Sequence, residues 1–432
     1  MSAIEDADDP GSDGRFLGKG MIAAIVLFFV VVLTYVQPRV SNDGLSYLSF
    51  MHRFFGGGTQ GYAYQFGVAY WNAPFYLAAR ALEALGLGEI SGLPIEDISL
   101  TVGSVVAVLL LFPLGWHLLR GLELGHAALA ITLTIFGTPL FYSVLFSPYD
   151  AHSVDALAGT ALAVLLLLVT TSPQISLRLA LGIGALLGAM MTVRYANVAL
   201  AVGLAVAFSG RRAWRSALIA GVAAAVVFGV LFVLPALRGI PYGVTADPTH
   251  AVTAGGVGGE TQFDLLVPLK MLISVRRGLF LWTPLTLLAV VGFGLLWARD
   301  RSRRLFTTSL AAGGIALLLV HMFWGRYWWG GFGFSQRFLI GLFPLFLLGL
   351  AELLRRRLVL VTVLATLCVA YSGSLALYHY YGYQGINETD GVDRIVELYR
   401  SGEETPEGFV RSKVGYPVRE RWSTYVRIVT GR

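Results

Sequence analysis

Charge is scarce in this chain. Of its 432 residues, 13% are Asp, Glu, Lys or Arg and 56% are apolar, where soluble domains carry ~25% charge. A mean hydropathy of +0.68 excludes an ordinary soluble globular protein, a disordered chain and a nucleic-acid-binding module, and points to a polytopic membrane protein. Cysteine is nearly missing. Cys368 stands alone in an apolar run, so no intrachain disulfide forms and cysteine usage says nothing of redox compartment. Also lacking is a small-residue cleavage site behind the first apolar run, 21–36; that run is read as a transmembrane helix rather than a removable signal. The net charge of +6 matters less than where the basic residues fall.

What is present is a series of apolar runs, at 21–36, 98–118, 127–146, 153–171, 177–193, 195–209, 217–236, 278–297, 306–324, 338–354 and 358–377. Each approaches the ~20 residues that a helix needs to cross a bilayer. The expectation is an all-α polytopic membrane protein of about eleven transmembrane helices. Basic residues collect as Arg211, Arg212 and Arg215, as Arg299, Arg301, Arg303 and Arg304, and as Arg355, Arg356 and Arg357, with Lys19, Arg120 and Arg178 in other short segments. Eleven spans put all of these on one side, so the positive-inside rule predicts a cytoplasmic N-terminus and an extracytoplasmic C-terminus. The organisation expected is a cytoplasmic tail 1–20, a transmembrane region 21–377 with outer loops 37–97 and 237–277, and an outer tail 378–432. In that tail, Asp393 to Arg400 has the apolar spacing of a short amphipathic helix.

Ionisable residues are the third shortage. The sequence places almost none at mid-depth of the spans, where pumps and secondary transporters commonly keep them, and no half repeats the other. Polar chemistry collects at the outer side instead. This pattern favours an enzyme working at the outer face over a transporter or flippase of a lipid-linked glycan. A non-catalytic assembly subunit for envelope enzymes is the other rival.

The outer segments hold the candidate residues. Asp43 follows the first span by a few residues, in Asn42-Asp43-Gly44. Leu45 to Phe55 has the composition of a short interfacial helix, and Tyr62, Tyr64, Phe66, Tyr70 and Trp71 lead into Asn72-Ala73-Pro74, an aromatic density suited to the headgroup level. A short outer link carries Pro148, Tyr149, Asp150 and His152. Arg194 interrupts an apolar stretch within GAMMTVRYAN (188–197), Arg276 and Arg277 open RGLFLWTP (277–284), and Arg337 closes WGGFGFSQR (329–337). Plainer roles stand beside these: Asp43-Gly44 as a turn, Asp150 or Ser153 as a helix N-cap, Arg276 and Arg277 as headgroup contacts. Trp324, Tyr327, Trp328 and Trp329 fit an interfacial belt. Gly182, Gly184 and Gly188 lie inside a span, where close helix packing explains them better than nucleotide binding. The glycine run 255–259 is a flexible connector, and Asn387 to Thr389 fits a glycosylation sequon.

Taken in order, these motifs resemble the polyprenyl-phosphate-dependent glycosyltransferases of the GT-C fold, the group that holds protein O-mannosyltransferases and lipid A aminoarabinose transferases. The resemblance covers the chain to about residue 350. It departs from the family where Asn42 stands before Asp43 in place of a second acid, and where a paired proline is reduced to Asn72-Ala73-Pro74. It implies a sugar donor on a polyprenyl phosphate, membrane lipids around the site, a lipid, glycan or protein acceptor, a prokaryotic plasma membrane, and direct inverting displacement. Such a reaction needs a base for the acceptor hydroxyl and cationic donors for the departing phosphate. Asp43 is the candidate base. Arg194, Arg276, Arg277 and Arg337 are the candidate phosphate ligands, ahead of Lys270 and Arg326. Asp150 and His152 are candidates for orienting substrate. No cofactor is required by this set; two Asp and one His admit a divalent cation without specifying one.

Overall fold

The chain is described by a computed structural model over residues 10–38, 40, 43–56, 66–90, 92–238, 240, 263–324, 328, 333–381 and 392–401, with isolated positions at 411–412, 419 and 422–423. Asp43 opens a helix, but its side chain lies outside the described residues. So do Arg326, the side chains of Trp324, Tyr327 and Trp329, the glycine run 255–259 and the sequon at Asn387.

Apolar composition and length set the architecture. Among the described residues, seven helices are long and apolar enough to cross a membrane, a bent pair adds an eighth span, and Leu177–Val193, Tyr195–Gly210 and Leu285–Arg299 are shorter apolar helices. Together they match the eleven runs of the sequence one for one. The chain is therefore an all-α, polytopic integral membrane protein. The described residues hold one small exception, a two-stranded antiparallel hairpin pairing Glu89 with Pro94.

The helices used below are, in chain order, α1 (Pro10–Tyr35), α2 (Asp43–Phe55), α3 (Phe66–Ala84), α4 (Ile95–Gly121), α5 (Ala127–Gly137), α6 (Leu140–Phe146), α7 (His152–Thr171), α8 (Leu177–Val193), α9 (Ala201–Gly210), α10 (Trp214–Leu237), α11 (Val267–Ile273), α12 (Leu279–Trp282), α13 (Leu285–Arg299), α14 (Arg304–Val320), α15 (Phe343–Arg356), α16 (Leu358–Tyr381) and α17 (Val392–Ser401). The third span bends by 67° between α5 and α6. Its cause is local: Pro139 lacks an N–H and pushes Thr138 out of the helical region, to φ −115° and ψ 168°. α8 begins on Ser176, whose hydroxyl accepts a hydrogen bond from the Leu179 N–H.

Small residues let the spans approach closely, as expected where lipid supplies no hydrophobic drive for helix association. A Cβ on Gly184 or Gly188 would lie 2.2 or 2.4 Å from the carbonyl oxygens of Ala220 and Ala224, so α8 and α10 pack backbone to backbone. Gly292 and Gly349 do the same for α13 and α15. The glycines of the fifth span that match a nucleotide fingerprint are thus packing residues at two of three positions; a Cβ on Gly182 would meet nothing.

One end of the bundle gathers the arginine clusters. Arg303 pairs with Glu123 at 2.9 Å, and Arg211 donates to the carbonyls of Ser172 and Pro173. Glu352, fully buried, is held by Arg299, Arg355 and Arg356. The other end gathers α2, α3 and the end of α16. The Gln37 amide N–H donates to the Leu145 carbonyl and its side chain to the Tyr381 hydroxyl, and the Trp422 indole N–H reaches Thr34. There α2, α3 and α4 are tied by a polar chain. Burial, with Glu96 nearby, pushes the Tyr76 phenol up to about 12, and its hydroxyl shares a hydrogen bond with His52 Nδ1 at 3.2 Å. His52 Nε2 meets Glu96 at 2.9 Å, and Arg80 meets the same carboxylate at 3.1 Å.

Ionisable side chains within the described spans lie near helix ends. Asp155 is in the first turn of α7, His379 in the last turn of α16, and Glu352 and His321 near the ends of theirs.

Candidate active site

The link from α6 to α7 is the floor of the site. Asp150 turns back through its N–H to the Ser147 carbonyl, and α7 starts at His152 with no side-chain cap bond from the preceding residue. The Asp150 carboxylate faces Arg337. It accepts a hydrogen bond from Arg337 Nη1 at 3.0 Å. His152 Nε2 stands 3.9 Å from the same oxygen. Asp150 and His152 are each 5% exposed.

Arg194 sits where α8 stops and a short 3-10 turn, Tyr195–Leu200, begins. It is 3% exposed. Its Nη1 meets Asp155 Oδ2 at 3.4 Å and donates to the Phe338 carbonyl at 2.9 Å. Its guanidinium lies 4.8 Å from the centre of the Phe338 ring. Asp155 in turn accepts from Asn197 Nδ2 at 2.7 Å. Arg194 also lies close enough to Arg337, Tyr47, His152 and His321 to act on them electrostatically. Two Asp–Arg pairs therefore stand side by side, and the segment from Arg337 to Phe338 touches both.

A third arginine borders this cluster. Arg277, fully buried, lies 4.6 Å above the Trp282 ring, and its Nη1 donates to the Arg276 carbonyl. Trp282, Phe334, Tyr142 and His379 form an aromatic wall with ring centroids 5.1–6.2 Å apart. Tyr142 lies within electrostatic reach of both Arg277 and Asp150, so the wall connects the third arginine to the acids. Ser335 beside it has φ +52°, a left-handed conformation that costs a non-glycine residue about 1–2 kcal/mol. Its hydroxyl lies 3.4 Å from Thr283.

The helices α2 and α3 close over this group. A Cβ on Gly44 would lie 2.6 Å from the Tyr149 ring, and one on Gly67 would lie 2.4 Å from the Val193 nitrogen. The first turn of α2 thus presses on the residue before Asp150, and the first turn of α3 on the residue before Arg194. The backbone of Asp43 is consequently placed at the same end and beside the same link.

Asp150, His152, Arg194 and Arg337 converge directly, and Arg277 joins through the aromatic wall. Arg276 is half-buried beside Arg277, contributing its carbonyl. Lys270 pairs instead with Asp264, whose carboxyl it holds below the usual range. Sequence reasoning passed over Asp155, Asn197, Tyr142 and His379. Asp155 had a signal, since it follows His152 by three residues and shares its helix face; Asn197 lay inside a motif already singled out. Among the described residues no three His, Cys, Asp or Glu side chains group as metal ligands.

The bundle has the GT-C membrane fold. Its likeness to a solved structure carries this: ArnT from Cupriavidus metallidurans, crystallised bound to undecaprenyl phosphate, superposes with a TM-score of 0.52 at 17% identity. That match covers 84% of this chain and 65% of the other, so the chain spans slightly under two thirds of the length of that protein. No protein-family model matches the sequence, and no curated protein matches it.

Proposed function

We propose that this protein is an integral membrane glycosyltransferase that moves a sugar from a polyprenyl-phosphate carrier to an acceptor at the extracytoplasmic face. The observation that carries the reading is the convergence of Arg194 and Arg337, each paired with an aspartate, at the end of the bundle opposite the arginine clusters. The undecaprenyl phosphate bound to the fold-related ArnT supports a donor of that class.

In this reading Asp43 takes the proton of the acceptor hydroxyl. The freed oxygen attacks the anomeric carbon from the face opposite the phosphate. The bond from that carbon to the phosphate oxygen breaks, and the phosphate leaves with the electron pair. Inversion follows, with no sugar–enzyme intermediate. Arg194, Arg277 and Arg337 supply donors where negative charge grows on the phosphate, and Arg276 lies beside them. Asp150 and His152 orient substrate, and Asp150 holds Arg337 in place. The acceptor is a lipid, glycan or protein. The organisation proposed is a cytoplasmic tail 1–20, a membrane region 21–377 and an outer tail 378–432, in a prokaryotic plasma membrane. No resident cofactor is invoked: a chelator leaves turnover unchanged in this account, and loss of turnover restored by added divalent cation would contradict it.

The experiment is consumption of a polyprenyl-phosphate sugar by purified protein in lipid. Arg337→Lys keeps the charge but loses the planar fork, and is expected to slow turnover at least ~10-fold. An assembly subunit without activity would tolerate replacement of the outer acids and arginines.

A further inference from the structure

The guanidinium of Arg194 is divided between two duties. Nη1 is committed to the protein, to Asp155 Oδ2 and the Phe338 carbonyl, with the Arg337 carbonyl 3.5 Å away. Nη2 is buried and has no hydrogen-bond partner among the described residues. A buried cationic donor left without an acceptor is costly, and the neighbours that surround this arginine are the acid, histidine and arginine of the candidate site. Behind it the support is layered. Asp155 has no exposed surface; one carboxylate oxygen takes Arg194, the other takes Asn197 Nδ2. Asn197 Nδ2 also donates to the Met190 carbonyl at 3.1 Å, which anchors the assembly to the last turn of α8.

Burying an ion pair of this kind adds little net stability compared with apolar packing; its better-attested use is to fix geometry. We propose that Asp155, braced by Asn197, is a positioning residue that locks one arm of Arg194 so that Nη2 is presented to the anionic phosphate of the donor. This rests on the glycosyltransferase reading and adds to it the element that preorganises its phosphate contact. Asp155 does not touch the substrate. Asp155→Asn sets an amide in place of a charged acceptor, and the arginine loses the partner that orients it.

The test titrates undecaprenyl phosphate into full-length protein in lipid nanodiscs. Asp155→Asn and Arg194→Lys are each expected to raise Kd about 10- to 100-fold, the worth of one charge-assisted hydrogen bond. The double variant is expected to be no weaker than the worse single one, because both act through one contact. In turnover the donor KM rises while the acceptor KM stays put. A Kd unchanged by Asp155→Asn, or two effects that multiply, would overturn the positioning role. Should Asp155→Asn not fold, Asn197→Ala decides: it keeps the ion pair, and weakens binding about threefold or more with Arg194 present but not with Arg194→Lys. An equal effect in both backgrounds overturns the proposal. Wild type that binds no undecaprenyl phosphate removes the donor reading and this role with it; wild-type binding with unaffected variants removes only the positioning role.

Discussion

Asp150 and Arg337 form an ion pair at 3.0 Å. Asp150 is 6% exposed at its side chain and Arg337 19%, so removing the arginine leaves a carboxylate in a poorly hydrated place. Arg337→Met is expected to destabilise the protein by ~3 kcal/mol, measured as a lowered midpoint of thermal unfolding in detergent. Adding Asp150→Leu should restore much of that stability and none of the turnover. Recovery of both would make the pair purely structural. Arg194 was visible in the sequence because it interrupts an apolar stretch, and Asp150, His152 and Arg337 because they stand in short polar or glycine-rich links between spans. Asp155 escaped for the opposite reason: read along the chain, it is one more polar residue in the opening turn of a helix, and its meaning depends on Arg194, 39 positions later.

Elements position these residues through close contacts that leave no space for a Cβ. Gly67 lets the first turn of α3 rest on the backbone of Val193, next to Arg194. Gly67→Ala is expected to cost about 1–3 kcal/mol and to weaken polyprenyl-phosphate binding, whereas Gly56→Ala, whose Cβ would meet nothing, serves as a control for handling a glycine with φ +106°, where a loss of stability without a binding defect is expected. At α11, Lys270 and the Leu266 N–H hold Asp264 below its ordinary range. A carboxyl depressed in the folded state stabilises it above the unfolded value, near ~pH 4, and loses that contribution as pH falls through the depressed folded value. Unfolding followed from pH 7 to pH 3 should show the wild type losing more stability than Asp264→Asn; equal losses would contradict the pair. The helices themselves were legible, since length and hydropathy define a span without reference to its neighbours. The 67° break at Thr138 and Pro139 was not anticipated, although the proline was in plain sight, because an apolar run continues on both sides of it.

At the scale of the whole molecule, the two ends of the bundle differ in chemistry. One end holds arginines paired with Glu123 and Glu352; the other holds acid–arginine pairs beneath α2 and α3. Eleven apolar runs and three arginine clusters led to the expectation of such a polarity, because an even number of spans between the clusters keeps them on one side. A reporter placed after Tyr381 should signal from the extracytoplasmic side; a cytoplasmic signal would invert the arrangement. The site was legible as a set of outer residues, but not as pairs, because pairing across spans depends on packing that no single helix encodes. The central claim is catalysis at that outer end, and carrier consumption by full-length protein in vesicles, offered a panel of polyprenyl-phosphate sugars, measures it. The account predicts that wild type consumes at least one of them and that Asp43→Asn, folded to the same thermal midpoint, does so at least ~100-fold more slowly. Normal consumption by Asp43→Asn would contradict it.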